Sequence, residues 1–177
     1  MRFNEERKWQ RKGVINLKLD LFEYLRSSPF TEHIEIGTVI IIPIRLSHPN
    51  QGNGYKFIED DKTFVFLTDN ELDFIHPGGL SFDAYKEFSA GADLLIHDGE
   101  YTEEEYRSVR KWGHSIYKTA LELAVEAGVK QFGLFHLNQD RTDKEVDHMI
   151  NICEEIITTK GSSLKCSAVG CDTTFDL

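Results

Sequence analysis

Four polar residues stand directly behind apolar runs: His48 behind Pro43-Ile44-Arg45-Leu46, Asp69 behind the run that ends at Leu67, Asp98 behind Leu94-Leu95-Ile96, and His136 behind Phe132 to Phe135. Apolar runs of that kind read as strands, and strand ends in α/β sheets are where sites are built. Two imidazoles and a carboxylate converging from separate strand ends are the donors that a borderline cation such as Zn²⁺ prefers, with Mn²⁺ and Fe as alternatives. Taken singly, each is an ordinary loop residue in water, and it is the set that points to a metal. His114, in Trp112-Gly113-His114-Ser115, belongs with them in another role. It precedes a helix N-terminus whose dipole disfavours the imidazolium, so a catalytic acid there needs a carboxylate partner, and Asp98 is the candidate.

The elements that must position these residues follow from the apolar pattern. The stretch to Arg26 reads as a strand or arm followed by a short helix. Glu35 to Pro43 is β-branched and reads as one buried strand. A turn-rich segment from Ser47 to Gly54 leads into Tyr55-Lys56-Phe57-Ile58, and Glu59-Asp60-Asp61-Lys62 turns a hairpin into Thr63 to Leu67. Further strands are expected at Leu94 to Ile96, Gln131 to Phe135, Leu164 to Ala168 and Thr174 to Leu177. Helices are expected over Phe82 to Ser89, over Glu103 to Arg110, over Ser115 to Ala127 with Ser115 as its cap and Gly128 as its stop, and over Lys144 to Thr158. Strands with helices interleaved late in the chain make an α/β architecture in a single domain, residues 1–177.

Composition narrows the function classes. In 177 residues there are 20 Lys and Arg against 30 Asp and Glu, a net charge of −10, with 40% hydrophobic residues. Such a chain can bury a core, and its charge disfavours a nucleic-acid backbone as the main partner. The basic start from Arg2 to Lys12 is too polar for a signal peptide, and no run approaches the roughly 20 apolar residues of a membrane span. Cys153, Cys166 and Cys171 lack the spacing of a zinc knuckle and read as reduced thiols, buried as small apolar side chains, which agrees with a cytoplasmic setting.

Five segments together resemble the metallo-β-lactamase fold hydrolases, in the branch of ribonuclease Z and small phosphodiesterase-like proteins. They are Ser47-His48-Pro49 with Gly54-Tyr55, Phe66-Leu67-Thr68-Asp69, Ala92 to Tyr101, Gly113-His114-Ser115, and Leu134-Phe135-His136. The resemblance implies an αββα sandwich, matched from about Val39 onward. It implies His48 as ligand of one metal, Asp69 as a bridge between two, and His136 as ligand of the second. It also implies His114 as phosphate contact or proton donor, supported by the acidic residue at Asp98. Two cations about 3.5 Å apart hold a hydroxide and polarise a phosphodiester oxygen, and an imidazole near the leaving oxygen supplies the proton.

The family's His-x-His-x-Asp-His string does not occur in this sequence. Asp143-x-Glu145-x-Asp147-His148 has the spacing, but carboxylates replace both leading histidines within a predicted amphipathic helix, so it reads as a solvated face. Counting donors, His48, Asp69 and His136 can hold one cation and not the usual pair. The expectation is therefore an N-terminally incomplete sandwich whose uncovered apolar sheet face calls for a second copy or a partner chain. Its function would be that of a metal-dependent, phosphodiesterase-like hydrolase with low or no activity alone, acting on a small phosphodiester or nucleotide-like substrate, with Tyr101, Tyr106 or Trp112 lining the pocket. A ribonuclease acting on tRNA is disfavoured, because that branch uses a basic extension and none is visible. The alternative is a non-catalytic dimeric or partner-binding domain that keeps at most one metal.

Overall fold

A computed structural model describes residues 33–177. The basic start and the arm and helix expected up to Arg26 lie outside the described residues. The β-branched run expected as one strand is two, β1 (Ile34–Ile36) and β2 (Val39–Arg45), because Gly37-Thr38 makes a tight turn between them. Then follow β3 (Asn53–Glu59) and β4 (Lys62–Leu67), joined by the expected hairpin turn. The remaining strands are β5 (Leu94–Asp98), β6 (Gln131–Phe135) and β7 (Lys165–Ala168).

All seven strands form one sheet in chain order; β1 to β4 are antiparallel neighbours and β4 to β7 are parallel. Antiparallel neighbours need only tight turns, whereas each parallel step needs a crossover, and helices occupy those crossovers. Between β4 and β5 lies α1 (Phe82–Ser89), between β5 and β6 lie α2 (Glu103–Val109) and α3 (Tyr117–Glu126), and before β7 lies α4 (Asp143–Thr159). Sharp N-terminal signals set three of the four starts: Ser81 caps α1, and Thr102 with Glu105 and Thr142 with Glu145 form capping boxes at α2 and α4. At α3 the expectation fails, since the N-cap is Ile116 and no side chain caps it. The Ser115 hydroxyl instead donates to the Asn70 carbonyl at 2.5 Å and accepts from Leu72 N at 3.0 Å. Those buried main-chain groups lie in an irregular loop with no ladder to satisfy them, which is a stronger claim on the hydroxyl than a helix end.

Strand alternation divides the side chains between two faces. Val65, Leu67, Leu95, Phe132 and Leu134 pack with Tyr85 of α1, Leu121 and Leu123 of α3, and Met149 and Cys153 of α4. The opposite face carries Phe57, stacked on Phe64 with ring centroids 5.4 Å apart, together with half-buried Tyr55 and Phe66. Among the described residues there is one sheet, and the second layer of the αββα sandwich is not among them. The strand expected at Thr174 to Leu177 does not form. The tail passes instead over Gly133, where a Cβ would lie 2.6 Å from Val169 Cγ2 and 3.2 Å from Phe175 Cζ, and Gln131 Nε2 donates to the Asp176 carbonyl at 2.9 Å. All three cysteines are free; Cys153 is buried and Cys166 half-buried, but Cys171, expected inside, is exposed in the tail. No helix among the described residues is long and apolar enough to cross a membrane.

Candidate metal centre

Sheet direction brings the candidate residues to one edge. The carboxyl ends of parallel β4, β5 and β6 face the same way, and β2, two antiparallel steps from β4, points with them. Leu46-Ser47-His48, Thr68-Asp69, Asp98 with Gly99-Glu100, and His136 therefore all emerge at that edge. Asp69 (φ 61°) and His136 (φ 49°) are left-handed immediately after their strands. That conformation is uncommon outside glycine and costs of order 1–3 kcal/mol, so its occurrence at both residues marks the edge as a place where geometry is imposed by the surroundings.

The imposition comes from fully buried polar neighbours of the candidates. Asp98 Oδ1 accepts from Asn70 N at 2.9 Å and its Oδ2 accepts from Ser115 N at 2.8 Å. Asn70 Oδ1 accepts from Ser47 N at 2.8 Å, and its amide group meets His97 Nε2 at 3.1 Å. His97 Nδ1 lies 2.7 Å from the Asp98 carbonyl, which fixes that nitrogen as the donor and Nε2 as the acceptor of the Asn70 amide. Ser47, Asn70 and Ser115 are chain neighbours of His48, Asp69 and His114, so one network sets the place of all three.

Above this network, donor atoms of Asp69, His114 and His136 lie within 4.8 Å of one another. His136 Nε2 stands 3.5 Å and His114 Nδ1 3.7 Å from the same oxygen, Asp69 Oδ1. Donors around a tetrahedral zinc at 2.0–2.1 Å are about 3.3 Å apart, so these two spacings need only a slight contraction, while the two imidazole nitrogens lie within 4.8 Å of each other. The two imidazoles stack with centroids 4.5 Å apart and planes 19° from parallel. His114 Nδ1 is buried and has no hydrogen-bond partner, Asp98 Oδ2 being too far at 3.6 Å. An orphaned nitrogen costs free energy unless something else satisfies it, and with His136 and the Asp69 carboxylate it makes a donor set that fits a borderline cation.

Electrostatics at the edge are acidic. Glu100 Oε2 lies 3.6 Å from His114 Nε2 and 3.4 Å from His136 Nδ1. Burial pulls the His114 imidazole down, but Asp98, Glu100 and Asp69 outweigh it and leave the imidazole above its ordinary range. At His48 burial wins over the attraction of Asp69, and its imidazole is held below that range. Tyr101 is pushed up to about 12, by burial and then by Glu100.

Of the expected metal ligands, Asp69 and His136 thus meet in one donor group, and the third member of the group is His114. His48 is not in it; its ring stands edge-on to His114 at a centroid distance of 5.8 Å. Asp98 lies beside His114 as expected, though both of its oxygens are already engaged by main-chain N–H groups. Tyr101 and Tyr106, expected to line a pocket, are buried in a small cluster with Ile116, while Trp112 is 63% exposed. Asp143, Glu145, Asp147 and His148 are exposed on α4. Sequence reasoning assigned no role to Glu100, Asn70, Glu71 or Ser47; for Glu100 the available signal was its place two residues past Asp98 at the same strand end.

No protein-family model matches the chain. In sequence it is similar to the ribonuclease Z of Streptococcus gordonii, 31% identical over 116 residues that cover 66% of this chain and 32% of that protein. The ribonuclease Z of Streptococcus mutans is 27% identical over 125 residues, 71% of this chain and 35% of that protein. Among solved structures, the metallo-beta-lactamase fold protein YhfI of Bacillus subtilis superposes on 85% of this chain and 59% of its own, with a TM-score of 0.59 at 18% identity. The short form of human tRNase Z covers 60% of this chain and 38% of its own, with a TM-score of 0.50 at 22% identity. Relatives named as ribonucleases stand against the expectation that set nucleic acid aside, which rested on the net charge of the chain and on the lack of a visible basic extension. The chain has the metallo-β-lactamase fold and is similar in sequence to ribonuclease Z, and it spans about a third of the length of the two streptococcal ribonuclease Z proteins.

Proposed function

We propose that this chain carries the metal-binding edge of a metal-dependent phosphodiester hydrolase. The observation that carries the reading is the convergence of Asp69, His114 and His136 with His114 Nδ1 left unpartnered. Asp69, His114 and His136 would hold the cation, Zn²⁺ by donor type with Mn²⁺ or Fe as alternatives. Bound there, such a cation polarises a phosphoryl oxygen and lowers the pKa of a coordinated water. Asp98 keeps His114 in place through Ser115 N, and Glu100 holds both imidazoles by charge. Three donors hold one cation where the resemblance implies two, so the activity expected of this chain alone is low. RNA phosphodiesters stand beside small nucleotide-like ones as substrates, on the names of the relatives. A second copy or a partner chain over Tyr55, Phe64 and Phe66 and a cytoplasmic setting for the free cysteines belong to the same reading.

His48 as ligand and His114 as proton donor is the other assignment of these side chains, favoured by the edge-on contact of the two rings. Metal content of the purified chain decides both questions. One equivalent is expected. His114→Ala should abolish metal uptake together with hydrolysis of a chromogenic phosphodiester, and His48→Ala should spare uptake. If His114→Ala kept the metal and lost only hydrolysis, the proton-donor assignment would hold. No metal at all would favour a non-catalytic partner-binding domain.

A further inference from the structure

Glu71 is only 1% exposed, two residues beyond Asp69 in an irregular loop. A carboxylate in such a place is strongly unfavourable unless its lone pairs are filled. They are filled by four donors. His76 Nε2 at 2.7 Å and Gly113 N at 2.9 Å meet Oε2, while Lys111 N at 2.7 Å and the Tyr106 hydroxyl meet Oε1. Three of the four come from the segment that leads into His114.

The backbone of that segment is one that no helix or strand would keep. Lys111 has φ 76° and Gly113 has φ 102°, and for Lys111, which carries a Cβ, this is a strained conformation. Turned amides converging on one oxyanion form a concave donor cradle of the kind that binds anions, and here the anion is supplied from within the chain. The cradle also presses Gly113 on its neighbours. A Cβ there would lie 2.6 Å from His48 Nε2 and 2.7 Å from Pro49 Cδ. His114 is consequently pinned on both sides, through Gly113 N to Glu71 and through Ser115 N to Asp98.

We propose that Glu71 is a positioning residue of the metal centre: it holds the 111–113 loop so that His114 meets Asp69 and His136. Its consequence for a cation rests on the hydrolase reading above, while its hold on the loop does not. Only a carboxylate suits the place, because a glutamine would turn one of its two acceptors into a donor facing donors.

The test uses the full chain and the variants Glu71→Gln and Met149→Ala, the second removing core volume beneath α4. Amide hydrogen exchange at Lys111 and Gly113 is read by NMR without metal, and Zn²⁺ and Co²⁺ are then titrated, with the cobalt visible bands reporting coordination. Glu71→Gln should speed exchange of both amides at least about tenfold, shift the cobalt bands, and weaken zinc about 10–100-fold, the usual effect of losing outer support. Met149→Ala should lower the unfolding midpoint and leave zinc affinity within about twofold, as a change remote from the site does. Protected amides or undiminished zinc affinity in Glu71→Gln would overturn the proposal, as would equal weakening by Met149→Ala. If Glu71→Gln does not fold, Tyr106→Phe removes one donor and keeps the carboxylate; faster Lys111 exchange supports the proposal and unchanged exchange overturns it. If the unaltered chain takes up neither metal, the hydrolase reading falls and the amide exchange alone decides for or against the hold of Glu71.

Discussion

Two layers of carboxylates lie at the same sheet edge, and they do opposite things. In the inner layer Asp98 and Glu71 are buried, and every oxygen accepts from an N–H or O–H group. In the outer layer Asp69 and Glu100 face imidazole nitrogens at 3.4 to 3.7 Å, beyond hydrogen-bond reach. The inner carboxylates have spent their lone pairs on backbone shape. The outer ones meet no such donors, and on the reading proposed above Asp69 would give an oxygen to a cation while Glu100 faces the two imidazoles. Residue type is the same in both layers, so the division of labour is set by which oxygens the main chain can reach.

The sharpest way to break this comparison is Asp98→Ala, which orphans Asn70 N and Ser115 N in the interior. At about 1–3 kcal/mol for each buried group left unpaired, and more for bonds to a charge, the variant should lose about 3–5 kcal/mol in urea denaturation. That is a large part of the 5–15 kcal/mol typical of a domain. A loss below about 1 kcal/mol would move Asp98 to the outer layer, as the proton-handling partner of His114 that the sequence suggested. Gly113→Ala comes next. It forces a side chain into φ 102° and against the His48 ring, and a cost of about 2–4 kcal/mol combines that strain with overpacking. A near-neutral Gly113→Ala would show that the loop does not bear on His48.

Legibility in the sequence did not follow the layers: Asp69 of the outer layer and Asp98 of the inner one were both legible, whereas Glu100 of the outer and Glu71 of the inner were not. Asp69, Asp98 and His136 each follow an apolar run, and a run that ends at a polar residue is a strand end whatever the rest of the chain does. His114 was legible by its Gly-His-Ser setting, but its company was not: the 3.7 Å approach to Asp69 depends on a loop whose shape is set by Glu71 and Asp98. Asn70, Glu71 and Ser47 read as loop polarity because, apart from His76 five residues beyond Glu71, the partners named above lie 23 to 45 residues away in the chain. Ser115 shows the same limit. Its local signal as a helix cap was misleading, because a long-range demand from Asn70 and Leu72 claims its hydroxyl. The capping boxes at Thr102 and Thr142 involve only residues three apart, and there the helix starts fell close to where the sequence put them.

Asp69→Asn sharpens the comparison from the other side. Its side chain is 53% exposed and holds up no buried group, so metal-free stability should change by less than about 0.5 kcal/mol. Zinc affinity should fall by at least about 100-fold, since removing a direct donor costs no less than disturbing an outer one. Calorimetric titration beside thermal unfolding separates the two quantities. Equal effects on both would mean that Asp69 belongs to the scaffold.

The smallest effect is expected at His148. Asp143, Glu145, Asp147 and His148 repeat the spacing of a metal loop, yet they point into solvent from α4, whose other side buries Met149, Cys153 and Ile157. Helical spacing spreads such residues around the exposed surface, where water satisfies each one and no buried donor locks them together. His148→Ala should therefore leave metal content unchanged and stability within about 0.5 kcal/mol. A fall in metal content would show that exposed carboxylates with no inner layer beneath them can gather a cation, and the distinction between the two layers at the sheet edge would lose its force.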